Sequence, residues 1–162
     1  MTRFACLFAV VLVALFAAEL TPWGEAWIVD PWTAIVARSA TSLTRFFDPA
    51  IGVSGATIYS TKTGAGVTIM SGCNGLEAMI VLGAAVVAYP APWRSRAIGL
   101  GAGIAAIALL NLVRIVSLFY LQQWNHDAFE WAHLYVWQAL IMLDALVVWL
   151  LWLRTLPGPR IS

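Results

Sequence analysis

Four stretches of this chain are long and apolar enough to cross a bilayer, and this limits the possible folds more than any other feature. A span needs about 20 predominantly apolar residues. Such runs cover residues 4–20, 74–89, 97–121 and 131–153. The expected fold is an all-α polytopic membrane protein, a single membrane-embedded domain over 1–162 with about four transmembrane helices. Composition agrees: 62% of residues are hydrophobic and 10% charged, against roughly 45–50% and about 25% in soluble domains. Lys62 is the one lysine and the net charge is +1. No basic cluster exists to neutralise a run of phosphates, so nucleic acid is excluded as a partner.

The first run lies behind Arg3 and resembles a secretory signal, but no Ala-x-Ala site follows it, so it reads as a retained anchor. The second stops at Pro90-Ala91-Pro92, and the third carries Gly99, Gly101 and Gly103, where a neighbouring helix can approach closely. Between the first two runs lies a loop over 21–72. Within it Trp32, Ile35, Val36, Leu43, Phe46 and Phe47 recur at helical spacing with Arg38, Ser42 and Arg45 off the stripe. That pattern predicts an interfacial amphipathic helix ended by Asp48-Pro49. Residues 53–70, rich in Thr, Gly and β-branched side chains around Lys62-Thr63-Gly64, predict a short β-hairpin.

Arginines set the orientation. Arg3, Arg94, Arg96, Arg154 and Arg160 all fall on one side of a four-span bundle, whereas 122–130 has no Lys or Arg. The positive-inside rule makes the first side cytoplasmic, with both termini there and the 21–72 loop outside. Trp23, Trp93, Trp124, Trp131 and Trp152 lie near segment ends, as in interfacial belts. Cys6 and Cys73 begin successive spans and so sit near opposite faces, too far apart for a disulfide; Cys6 reads as an inert buried thiol.

This topology gathers residues that are costly in lipid into one outer layer. Cys73 sits at the mouth of the second span and His133 near the mouth of the fourth. Arg114 lies seven residues before Leu121, roughly 10 Å below the end of the third, and can snorkel upward. An arginine in a span costs about 2.5–3.5 kcal/mol on the lenient insertion scale and is usually paired. Glu77, one turn below Cys73, is the expected partner, whether as a structural ion pair or as part of a site. Cys73 is flanked by small residues in Ser71-Gly72-Cys73-Asn74-Gly75-Leu76-Glu77, and cationic neighbours favour the nucleophilic thiolate. Glu130, one turn before His133, is expected to orient its ring. Asn111 and Asp144 form a second polar layer, read as an interhelical hydrogen bond. His126 reads as a solvated loop residue. Cys73, His126, Glu130 and His133 are also zinc-ligand types, but one thiolate without paired Cys-x-x-Cys or His-x3-His spacing speaks against a metal site, and no cofactor is implied.

Ser-Gly-Cys-Asn-Gly-Leu-Glu entering one helix, Asn111-Leu-Val-Arg114-Ile near the end of the next and a histidine opening the following one resemble the exosortase/archaeosortase family. The run through Phe129-Glu130-Trp131-Ala132-His133 is most similar to the compact exosortase H subtype. The resemblance covers roughly residues 50–153, and its two motif blocks are specific as a pair. It implies a membrane cysteine transpeptidase that cuts a C-terminal sorting signal of exported proteins: a short motif, a transmembrane helix and a basic tail. It further implies Cys73 as nucleophile, Arg114 as oxyanion stabiliser and His133 as general acid/base. Asn74, Glu77, Asn111 and Glu130 stand in support. Implied too are a signal of the Ile-Pro-Thr-Leu…Trp-Gly type, an unnamed acceptor nucleophile, and an active site at the outer face of the bacterial inner membrane. Two other classes compete on the residues alone. A small transporter or binding subunit would use Arg114 and Glu77 as a pathway, but broken midplane helices and repeat symmetry are absent. A structural subunit of a membrane complex would use the small size and the glycine-bearing third span.

Overall fold

The structure is a computed structural model and describes residues 2–156. Helix α1 covers Thr2–Glu19. After Thr21, whose side chain accepts from the Gly24 N–H, the short α2 (Pro22–Gly24) passes through a π-helical turn, Glu25–Val29, into α3 (Asp30–Arg45). Strands β1 (Ile51–Ser54), β2 (Thr57–Ser60) and β3 (Gly66–Thr68) follow. Helix α4 covers Leu76–Ala88 and α5 covers Trp93–Trp124. Helix α6 (His126–Trp131), a second π-helical turn (Ala132–Val136) and α7 (Trp137–Thr155) form one continuous rod.

The protein is a multi-pass membrane protein. Among the described residues three helices are long and apolar enough to cross a bilayer: Thr2–Glu19, Trp93–Trp124 and His126–Thr155. The expected second span is shorter than the sequence suggests. Helix α4 starts at Leu76, two residues after the predicted Asn74, and has 13 residues. At 1.5 Å per residue it is about 20 Å long, against a hydrocarbon core of about 30 Å. Its start is late because Gly72 and Gly75 hold φ of 87° and 81°, conformations that unwind the chain around Cys73. Arg160, used above for orientation, lies outside the described residues.

Close packing sets the helix frame. Lipid tails are as apolar as leucine, so spans associate through fit rather than water exclusion. A Cβ on Gly99 would overlap the Trp152 indole, and one on Gly103 would overlap Leu82, whereas Gly101 faces open space. Trp152 is thus a core residue, 6% exposed, and donates from Nε1 to the Ser95 carbonyl at 2.8 Å. This corrects its expected place in the interfacial belt; Trp23, Trp93, Trp124 and Trp131 do face outward. Phe4 stacks on Trp149, with ring centroids 6.1 Å apart, and ties α1 to α7. Cys6 is exposed on α1 rather than buried, because this helix packs on α4 along one side only.

At the end of the bundle where α4 begins and α5 finishes, α3 and the strands form a cap. The predicted hairpin is a three-stranded antiparallel meander, order β1-β2-β3. Ile51, Ile58 and Ile69 pack with Val36, Ala37 and Ala40 of α3 and Ile115 and Phe119 of α5. The amphipathic helix turns its small residues inward (Thr33, Ala37, Ala40, Thr41, Thr44), while Phe46 and Phe47 just beyond it are 86% and 79% exposed. Large apolar side chains directed away from protein suit a lipid interface. A hydrogen bond from Lys62 Nζ to Asp48 at 3.0 Å fastens the β2–β3 turn to the α3–β1 junction and holds the Asp48 carboxyl below its ordinary range.

Candidate functional site

Three elements bring three side chains to one cleft beneath the cap. Cys73 sits in the unwound segment before α4, with its N–H bonded to the Met70 carbonyl at 2.9 Å. Its Sγ lies 3.3 Å from Nε2 of His133, which the second π-helical turn carries. Nη2 of Arg114, from α5, lies 3.6 Å from the same sulfur. The cavity they share is about 120 Å³ and is also lined by Met70, Ile115, Leu118 and Phe129.

Arg114 is 1% exposed, and its Nε and Nη1 have no partner among the described residues. A buried guanidinium without a carboxylate is costly, so the group it faces matters. Here that group is the sulfur. The expected Glu77–Arg114 pair does not form. Instead Glu77 Oε1 accepts from the Gly72 N–H at 2.5 Å and fastens the Cys73 segment to the first turn of α4. Glu77 also lines a separate cavity with Glu19 and Glu25.

Asn74 is fully buried and fixes the segment from the other side. Its Nδ2 donates to Thr33 Oγ1 at 3.0 Å, and its Oδ1 accepts from the Leu76 N–H at 2.9 Å. Its carbonyl accepts from Trp32 Nε1 at 3.1 Å. Trp32 and Thr33 are therefore positioning residues; in the sequence Trp32 stands out only as part of an apolar stripe, and Thr33 not at all. The sign available was a threonine on the inward face of an amphipathic helix, a polar group that needs a partner when buried.

Asn111, one turn before Arg114, is buried against Gly75, whose added Cβ would come within 3.2 Å of the Asn111 Cγ. It does not bond Asp144: both polar atoms of Asn111 and Oδ2 of Asp144 lack partners. Glu130 does not orient His133 either. It pairs with His126 at 3.4 Å on the exposed side of the helix. His126 opens α6 rather than lying in a loop, because Asn125 caps that helix by accepting from the Ala128 N–H. The His133 ring is instead stacked on Phe129, with centroids 5.6 Å apart and planes 16° from parallel. Phe129 and His133 are four residues apart, the spacing at which helical side chains meet, so this contact was readable in the sequence. The π-helical turn was not. Trp137 N–H bonds back five residues to the Ala132 carbonyl, a departure that frequently marks functional sites. Among the described residues no three His, Cys, Asp or Glu side chains converge as a metal-ligand set.

Residues 2–152, nearly the whole chain, match the family described as transmembrane exosortase (Exosortase_EpsH). The chain belongs to the transmembrane exosortase family. Comparison with curated proteins and with solved structures gives no match. Exosortase membership makes this a membrane protein of sorting-signal processing, acting on exported proteins that carry such signals.

Proposed function

We propose that this exosortase is a membrane-embedded cysteine transpeptidase, or endopeptidase, of the compact H subtype. It cleaves a C-terminal sorting signal, of the Ile-Pro-Thr-Leu…Trp-Gly type followed by a transmembrane helix and a basic tail, at the outer face of the bacterial inner membrane. Both termini are cytoplasmic, and the 1–162 chain acts as one domain. The observation that carries the reading is the Cys73 sulfur held 3.3 Å from His133 Nε2 and 3.6 Å from Arg114 Nη2.

The roles we assign on that geometry are these. His133 Nε2 takes the thiol proton, and the Cys73 thiolate adds to the scissile carbonyl carbon. The negative charge passes from sulfur to the carbonyl oxygen, where the Arg114 guanidinium, whose Nη2 already lies 3.6 Å from the sulfur, stabilises it. Removing one oxyanion donor typically costs about 2.7–4 kcal/mol of transition-state stabilisation. Collapse breaks the C–N bond, the imidazolium returns its proton to the leaving amine, and a thioester remains on Cys73. An acceptor nucleophile, or water, then attacks the thioester and restores the thiol. Asn74, Glu77 and Asn111 keep the Cys73 segment in place. Glu130 stands outside this machinery, bonded to His126.

Co-expression with an exported protein that carries the sorting signal tests the assignment. In a Cys73→Ala chain the substrate should accumulate uncut, while the variant reaches the membrane at normal levels. Unchanged processing by that variant would remove Cys73 from the mechanism.

A further inference from the structure

The three-stranded sheet has two edges: α3 closes part of the β1 edge, through Ile51, and leaves Val53 outward, whereas the β3 edge is open along its length and borders the cavity. Residues bonded across an antiparallel pair alternate along each strand. Ser60 N–H bonds the Ala65 carbonyl and Ile69 N–H bonds the Ala56 carbonyl. Residues 65, 67 and 69 therefore turn their backbone groups toward β2, whereas Gly66 and Thr68 turn theirs toward the free edge. On the opposite edge Arg45 Nε closes the outward carbonyl of Ile51 at 2.7 Å. No backbone or side-chain partner among the described residues meets the outward N–H and C=O of Gly66 and Thr68. An open edge of this kind is a template for another strand, which proteins normally cover or blunt.

This edge borders the site. Val67, Thr68, Ile69 and Met70 line the same cavity as Cys73, Arg114 and His133. The chain then folds back through the bond from Cys73 N–H to the Met70 carbonyl, which sets the sulfur beside the end of β3. The cavity of about 120 Å³ is well below the roughly 300–1,000 Å³ of pockets that enclose a small ligand. It holds the reacting group and a side chain, not a length of main chain. A peptide reaching Cys73 runs outside it, and the open edge of β3 is the main-chain surface that borders it.

The geometry points to β-strand addition as the way substrate is held: the sorting motif of an exported protein pairs with β3 as a fourth strand. Two of its alternate residues exchange backbone hydrogen bonds with Gly66 and Thr68, and the strand delivers its scissile carbonyl to Cys73. Main-chain bonds supply affinity and the alternate side chains supply specificity. This deepens the reading of Cys73 as nucleophile and rests on it.

Proline tests it, because proline removes an N–H and is tolerated on an edge strand where that N–H faces outward. Thr68→Pro is compared with Thr68→Val, which loses the same hydroxyl bond to Thr57 but keeps the amide. Gly66→Pro against Gly66→Ala gives a second, independent pair at the other outward amide. All are made with Cys6→Ala, so that alkylation reads Cys73 alone. The probe is a reporter protein ending in the sorting signal of an exported protein from the source cell. Each proline variant should process this reporter at least tenfold more slowly than its partner, with melting temperature and Cys73 alkylation rate unchanged. Equal processing within both pairs would overturn strand addition. A Cys73→Ala chain run alongside reads the nucleophile assignment separately: continued processing there overturns that assignment, and the strand pairs still judge the edge.

Discussion

The two ends of this bundle are built on different principles. Away from the site the core is purely helical: Leu82, Val86, Ile107, Ile141, Ala145 and Trp152 interlock, with Gly99 and Gly103 where the Trp152 and Leu82 side chains press onto α5. Its order comes from shape. At the site end the core mixes α3, three short strands and α5, and the segment carrying Cys73 is neither helix nor strand. Its order comes from a few directed hydrogen bonds through Asn74, Glu77 and Trp32. Irregular backbone at membrane depth is tolerated only where it is buried in protein or lines a cavity, and the cap meets that condition. The frame can be rigid without chemistry, whereas the site requires an unwound segment and therefore separate fastenings.

The contrast can be broken at either end. The largest effect is expected at Gly99, where a valine must displace Trp152 and its bond to Ser95. Overpacking of this kind costs about 1–3 kcal/mol or more, and a thermal melt in detergent should show the whole bundle destabilised. Asn74→Ala should act on the other end. It removes the buried bond to Thr33 that ties the segment to α3 and the part-buried bond from Leu76 N–H, at about 1–3 kcal/mol. Processing should fall by more than the stability change explains, and hydrogen exchange should rise around Cys73 while α5 and α7 stay protected. The smallest effect belongs to Gly101→Ala, which enters open space and should leave the melt unchanged or raise stability by about 0.5–1 kcal/mol. A large loss there would mean that the glycine positions do not sort as the packing says.

Depth was legible in the sequence, and azimuth was not. Counting residues from the ends of apolar runs placed Cys73, Arg114 and His133 in one layer, and they do meet. Which neighbour each residue faces depends on rotation about helix axes, and that is where the expectations failed. Glu77 shares the depth of Arg114 but turns to the Gly72 amide. Glu130 precedes His133 by three residues and bonds His126 instead. Asn111 faces Gly75 rather than Asp144. The π-helical turn at 132–136 changes the phase of the helix at His133, and the apolar run through it shows no mark of the change. The start of α4 moved for a local reason: two glycines with positive φ hold the motif out of the helix. The cap was half legible, since turn residues announced strands but not a third one.

The central claim is that Cys73 forms a thioester with the exported substrate, and hydroxylamine tests it most directly. It attacks a thioester and leaves a hydroxamate at the substrate's new C-terminus, which mass spectrometry of co-expressing membranes reads. Hydroxamate-ended substrate is expected from the unmodified chain and none from Cys73→Ala. A substrate cut by the unmodified chain but never carrying a hydroxamate, or one carrying it equally in the Cys73→Ala chain, would exclude a Cys73 thioester.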